Sequence, residues 1–217
     1  MDDFLDIVGL SISVSLVATA IAAGVSLPIG AALAIFRFRG RRVIVVLINA
    51  LFGLPPVVVG LVLYLALSRS GPFGSLALLF TPTAMVIAQT ILATPIVTAL
   101  IHRASERAWA RYGDELTSDG ATALQSIPQV LMIIRADLVT AVLAGFGRTV
   151  SEVGAVILVG GNIRGLTRTM TTTIALQTSQ GDLTLALALG AVLVGISISI
   201  SATVFALAGR AAGNDEI

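Results

Sequence analysis

Thirty consecutive residues, Ile7 to Phe36, carry no charge, and windows of similar apolarity recur along the chain. A helix needs about 20 such residues to cross a hydrocarbon core of about 30 Å. Lipid offers no partner for backbone N–H and C=O groups, and a helix satisfies them internally. Of 217 residues, 56% are hydrophobic and 12% charged, and the mean hydropathy is +1.00. No soluble domain of this length needs that much apolar surface. Barrel strands are about half as long as these windows, which argues against an outer-membrane barrel. An all-α integral membrane protein is expected, built as a single domain over residues 1–217.

Charged and turn-forming residues divide the chain into five expected transmembrane helices, about 7–36, 43–67, 82–101, 138–158 and 183–208. The first contains Pro28 and is long enough to tilt or kink. The second carries Gly53-Leu54-Pro55-Pro56 near its middle. A proline pair removes donors that lipid cannot replace, so protein or a watery cavity must cover the break. Residues 68–75, SRSGPFGS, read as a turn, and Thr81-Pro82 as the N-cap and first residue of the third helix. Arg148 and Glu152 lie inside the fourth, and the Gly-, Thr- and Ser-rich stretch 160–181 reads as a loop with one short helix. Ile196 to Ser201 alternates like a strand, but so long an apolar segment is expected to be helical.

An odd number of spans puts the termini on opposite sides. Nine arginines fall on one side: Arg37, Arg39, Arg41, Arg42, Arg103, Arg107, Arg111, Arg135 and Arg210. Three, Arg69, Arg164 and Arg168, fall on the other. Basic residues accumulate in the cytoplasm, so the C-terminus and the polar stretch 102–137 are expected there. The acidic start MDDFLD lacks the basic region of a secretory signal and is expected on the periplasmic side.

That polar stretch reads as two short helices about Gly120, one from Ser105 to about Thr117 and one from Ala121 to Met132. The second would show Leu124, Ile127 and Leu131 on one face, interrupted at Pro128. Apolar positions at helical spacing favour a docking surface for a soluble partner over a solvated loop. Trp109 and Tyr112 would anchor this region or meet the partner, and His102 is read as an interfacial residue rather than a metal ligand.

Cysteine is absent, which excludes disulfides and thiolate chemistry, and all thirteen basic residues are arginine. An ordinary phosphate-binding loop needs a lysine, so ATP-driven work would fall to another polypeptide. No catalytic set, resident cofactor, metal site or nucleic-acid partner is expected in this chain.

Several segments are similar to the permease subunits of bacterial ABC importers, and among those to the oxyanion permeases. Asp114-Glu115-Leu116-Thr117-Ser118-Asp119-Gly120-Ala121 resembles their coupling-loop signature, with Gly120 as its one identical residue. Gly53-Leu54-Pro55-Pro56-Val57-Val58, Ser70-Gly71-Pro72-Phe73-Gly74, Thr81-Pro82-Thr83-Ala84-Met85 and Ser151-Glu152-Val153-Gly154-Ala155 follow in matching order. Val159-Gly160-Gly161-Asn162-Ile163 and Thr167-Arg168-Thr169-Met170-Thr171-Thr172 look more like tungstate permeases than molybdate or sulfate ones.

The resemblance implies a type I importer fold and a homodimer carrying two ABC ATPase subunits, where ATP and Mg would bind, with a periplasmic substrate-binding protein above. It implies ATPase coupling at Asp114, Glu115, Gly120 and Ala121, and a translocation pathway past Pro55, Pro56, Arg148, Ser151 and Glu152. Contact with the binding protein would fall on Gly160, Gly161, Asn162, Arg164 and Arg168. Two readings of Arg148 and Glu152 stay open: an ion pair bracing the bundle, or positive charge presented to a passing oxyanion. The Gly160–Thr173 loop could likewise contact the binding protein or select substrate with its own donors. A secondary transporter or channel remains the alternative outside the ABC class. Glu152 as the sole acidic residue deep in a span leaves little for proton coupling.

Overall fold

A computed structural model describes residues 2–213, with side chains from 3 to 206, so the side chain of Arg210 lies outside the described residues. All regular structure among the described residues is helical. The helices are α1 (Asp2–Ile35), α2 (Arg41–Phe52), α3 (Pro56–Leu67), α4 (Pro82–Ser118), α5 (Ala123–Ile133), α6 (Arg135–Val150), α7 (Gly154–Gly160), α8 (Met170–Gln180) and α9 (Leu183–Gly213), with a 3-10 turn at Gly74–Leu76. Helices α1, α4 and α9 are each long and apolar enough to cross a membrane. Counting two bent pairs, α2 with α3 and α5 with α6, as one span each brings the number to five.

Sequence signals and observed bounds agree at several breakers, but the interruption expected at Pro128 is absent, and Pro28, Pro95 and Pro128 lie inside α1, α4 and α5. Pro56 opens α3 with Pro55 as its N-cap, so the expected break in the second span is there. Pro82 opens α4, and Thr81 Oγ1 accepts a long 3.4 Å bond from the Ala84 N–H. Gly161, at φ +72°, ends α7, and Gly181, at φ +80°, ends α8. The segment from Ile196 to Ser201 is helical within α9.

Two expectations need correction. The third helix does not stop at Ile101, and Ser105 caps nothing: α4 runs unbroken to Ser118 with Ser105 wholly buried inside it. No glycine or proline lies between Pro95 and Gly113, and Ile101, Ala104 and Ala108 continue one buried stripe, so nothing ends the helix there. The fourth span is not continuous over 138–158 but breaks at residues 151–153 between α6 and α7. Its physical cause is Glu152, whose side chain serves the backbone of the next helix, as described below.

The described residues form two compact units. The first comprises the described part of Met1–Thr19 together with Leu54–Ala93 and Phe146–Ile200. One of its clusters packs Val14, Val59, Met85, Leu92, Val156 and Val159, and another Ile7, Val150, Met170 and Leu189. In lipid, helices gain little by hiding apolar surface from one another, so association rests on close approach of small residues and on interhelical hydrogen bonds. Gly60 of α3 shows this, since a Cβ there would stand 2.8 Å from Ala155 Cα of α7.

The second unit comprises Ala20–Gly53, Thr94–Gly145 and the described part of Ser201–Ile217. Its core joins Ile35, Val97, Ile101, Ala104, Val130, Ile134 and Ala141. Gly30 of α1 lies so close to α4 that a Cβ would meet Ile101 Cγ2 at 2.8 Å. Beside that contact Thr98 Oγ1 donates to Ser26 Oγ at 2.9 Å, and Ser26 Oγ donates to the Thr94 carbonyl at 3.1 Å.

Candidate functional site

Two helix breaks lie side by side in the first unit. One is Leu54–Pro55 before α3, the other Ser151–Val153 before α7, and the two helices pack along each other. A Cβ on Gly154 would lie 2.8 Å from Val57 Cγ2, so the first turn of α7 rests on the first turn of α3. Pro55, Pro56, Arg148, Ser151 and Glu152, singled out from sequence, therefore belong to one neighbourhood.

Glu152 is only 3% exposed and its side chain has two partners. Oε2 accepts from Arg148 Nη1 at 2.5 Å, and Oε1 accepts the Ala155 N–H at 3.1 Å. The second bond satisfies one of the donors that a helix start leaves over. The carboxylate thus links the end of α6 to the beginning of α7. The pair spans four residues, as the sequence suggests, but it crosses a helix end rather than lying on a helix face. Arg148 keeps a third of its side chain exposed, and Ser151 is exposed with its hydroxyl turned back to the Gly147 carbonyl.

A polar seam that the sequence reading missed backs this break. Gln89 Nε2 donates to the Thr149 carbonyl at 3.0 Å, and Thr149 Oγ1 lies 3.1 Å from Thr19 Oγ1. Ser11, Ser15 and Thr19 are all buried on α1. Their spacing of four, on an otherwise apolar helix, was the legible signal. Gln89 Oε1 is buried without a partner among the described residues.

The loop between α7 and α8 holds the residues expected to meet a binding protein. Gly160 is buried against Met85, while Gly161 and Arg164 are exposed and Asn162 is half-buried. Arg164 pairs with Asp3. Arg168 is half-buried, with Nε unpartnered among the described residues. The threonines are engaged internally. Thr167 Oγ1 donates to the Gly160 carbonyl at 2.5 Å, and Thr169 forms a capping box with Thr172 at the start of α8. Thr171 Oγ1 donates to the Glu152 carbonyl at 2.8 Å, and Thr173 Oγ1 to the Thr169 carbonyl at 2.6 Å. The threonine hydroxyls therefore have little donor capacity left, while Arg164 and Arg168 keep some of theirs.

In the second unit, Gly120 ends the turn after α4 at φ +84°, a conformation that favours glycine. The Ala121 N–H closes on the Leu116 carbonyl at 3.0 Å, and Thr122 caps α5 in a reciprocal box with Gln125. The expected second short helix exists, and Ile127 and Leu131 of its expected face pack on the core, but Leu124 does not. Ser126, Val130 and Ile134 are buried, while Leu124 is 70% and Met132 71% exposed. Leu116, Gly120, Ala121, Gln125, Pro128 and Gln129 line an open groove beside that face. Asp114 and Glu115 are exposed near it.

Ion pairs brace α4. Arg41 donates to Glu106 at 2.8 Å, to the Leu33 carbonyl at 2.5 Å and to His102 Nε2 at 3.3 Å, and Arg107 pairs with Asp137 at 3.2 Å. His102 is thus a buried acceptor for Arg41. Trp109 packs partly buried on the core, against Gly113, which makes it an anchor.

No protein-family model matches the chain. Known proteins do. The tungstate uptake system permease protein TupB of Peptoclostridium acidaminophilum is 45% identical over 204 residues, 93% of this chain and 88% of that protein. A probable anion ABC transporter permease protein of Haloferax volcanii is 41% identical over 82% of this chain and 78% of its own. The molybdenum transport system permease protein ModB of Azotobacter vinelandii is 29% identical over 74% of this chain and 75% of its own. Identity of this extent, over a helical chain with several membrane-length apolar helices, places the protein: it belongs to the permease subunits of ABC-type anion transporters.

Proposed function

We propose that this chain is the permease subunit of an ATP-driven importer that carries tungstate across the cytoplasmic membrane by alternating access. The observation that carries the substrate is the 45% identity to a tungstate uptake permease over 93% of the chain, against 29% over 74% for a molybdenum one. Reconstituted complex, given ATP, should show ATPase stimulation by binding protein loaded with tungstate. Stimulation by molybdate- or sulfate-loaded protein and not by tungstate would refute the assignment.

The reading treats the whole chain as one permease domain with five spans, the periplasmic N-terminus and cytoplasmic C-terminus following from the nine-to-three arginine distribution. Two copies would form the transporter, since a two-fold axis supplies a pathway that five helices are too few to enclose. ATP and Mg would bind on two separate ATPase subunits, this chain acting as a transport subunit without catalysis of its own. Their docking is assigned to the open groove at Gly120 and Ala121, lined also by Leu116, Gln125, Pro128 and Gln129, with exposed Asp114 and Glu115 close in sequence. The pathway is assigned to the paired breaks at Pro55, Pro56, Arg148, Ser151 and Glu152. A periplasmic binding protein would meet Gly160, Gly161, Asn162, Arg164 and Arg168.

A further inference from the structure

We propose that Thr171 is a positioning residue that carries binding-protein docking on the outer loop to the α6–α7 break. The proposal rests on the importer reading above. Thr171 lies in the first turn of α8, is 6% exposed, and gives its hydroxyl proton to the Glu152 carbonyl at 2.8 Å. That carbonyl belongs to neither helix, because α6 ends at Val150 and α7 begins at Gly154. The interruption creates the acceptor and Thr171 supplies the donor.

The neighbouring residue faces the other way. Thr172 Oγ1 reaches Asn162 Oδ1 at 3.0 Å, in the exposed loop that carries Gly161, Ile163 and Arg164. One helical turn therefore holds the outer loop through Thr172 and the break through Thr171. The turn itself is stiff. Thr169 and Thr172 close a capping box over it, Met170 and Thr172 are wholly buried, and the Met170 N–H donates to Ser11 Oγ of α1 at 2.7 Å. A shift of Asn162 must either break the Thr172 bond or move the turn, and moving the turn moves the Glu152 carbonyl. Through its side chain Glu152 also positions Arg148. Packing alone would transmit this motion less sharply, since the hydroxyl of Thr171 fixes both direction and distance.

The test compares Thr171→Val, which keeps the shape and loses the donor, with Thr171→Ser, which keeps the donor. Each is reconstituted as a full complex with its ATPase, and turnover is measured with and without tungstate-loaded binding protein. We expect T171V to keep its basal rate and lose stimulation about five-fold, the factor that one hydrogen bond carries, and T171S to be stimulated like wild type. T171V stimulated as wild type would overturn the proposal, and so would basal and stimulated rates that fall together. Should T171V fail to assemble, amide hydrogen exchange on the wild-type complex decides the matter. Docking of loaded binding protein should change exchange at Val153 to Ile157, and an unchanged profile there overturns the relay. A wild-type complex that no loaded binding protein stimulates removes the importer reading itself, and the two failures are told apart because only the second abolishes stimulation of wild type.

Discussion

The two roles open to the Arg148–Glu152 pair separate cleanly in a double substitution. Glu152→Ala removes the partner of a partly buried arginine and the acceptor for the Ala155 N–H. Breaking a buried ion pair from one side costs about 3–5 kcal/mol, and the low end applies because Arg148 stays 33% exposed. Losing a helix-start acceptor adds about 1 kcal/mol. Glu152→Ala should therefore destabilise by about 4 kcal/mol. In Arg148→Ala/Glu152→Ala no orphaned charge remains, so only the loss of about 1 kcal/mol at the helix start should persist. At about 2–4 °C per kcal/mol for a chain of this size, the double variant should unfold about 6–12 °C above Glu152→Ala in detergent. Uptake in proteoliposomes gives the second reading. If Arg148 faces the oxyanion, Arg148→Ala transports poorly although the complex assembles, and the double variant stays impaired despite its recovered stability. A double variant no more stable than Glu152→Ala would refute the orphaned-charge argument and show that the pair itself braces the bundle. Full uptake by Arg148→Ala at normal expression would remove Arg148 from the pathway.

Other outcomes follow from close approaches and caps. Gly60→Val should separate α3 from α7, since backbone at 2.8 Å cannot yield, and lower stability by about 1–3 kcal/mol, whereas Gly24→Ala, with nothing within 4 Å, should leave the unfolding temperature unchanged or raise it. Equal temperatures for the two variants would contradict the packing argument. Gly120→Trp should release the ATPase or uncouple it in a pull-down and turnover assay, while Gly120→Asn, which tolerates φ +84°, should keep it; a tight, active Gly120→Trp complex would count against docking there. Thr122→Ala opens the α5 capping box and should cost about 1 kcal/mol in thermal unfolding, with Thr122→Ser close to wild type.

Legibility followed the breakers. Pro55, Pro56, Pro82, Gly161 and Gly181 each act on the backbone alone, so their effect could be read locally, and α3, α4, α7 and α8 begin or end where they stand. Glu152 acts through its side chain on the N–H of Ala155, three residues on, and sequence spacing displays such a residue as part of a helical face. For that reason the pair was foreseen and the break beneath it was not. Leu124 misled for the opposite reason. Its spacing with Ile127 and Leu131 is helical, but which stripe of a short helix is buried depends on neighbours such as Ile101 and Ala104, distant in sequence. The hydroxyl seam of Ser11, Ser15 and Thr19 shows its period in the sequence, yet nothing local says that Thr149 and Gln89 meet it.

The same pair bears on how a dianion could cross without being held. At about 4 Å and an effective dielectric constant of about 20, one charge attracts another by about 4 kcal/mol, so a bare arginine would hold a doubly charged oxyanion by about 8 kcal/mol. Binding of that order slows release by roughly five to six decades, at about 1.4 kcal/mol per decade. A pathway needs the reverse, affinity high enough to admit the ion and low enough to let it leave. Glu152, 2.5 Å from Arg148 and fixed at its other oxygen by the Ala155 N–H, cancels most of that field while leaving a third of the arginine exposed. An arginine so restrained can guide a tetrahedral oxyanion but discriminates poorly between tungstate and molybdate, which share charge and shape. If the pathway passes Arg148, selectivity would fall to the binding protein, and Glu152→Gln should weaken transport by holding the anion too tightly, lowering maximal uptake and KM together. A rise in KM with unchanged maximal uptake would show instead that Glu152 acts on entry, and that the restraint argument is wrong.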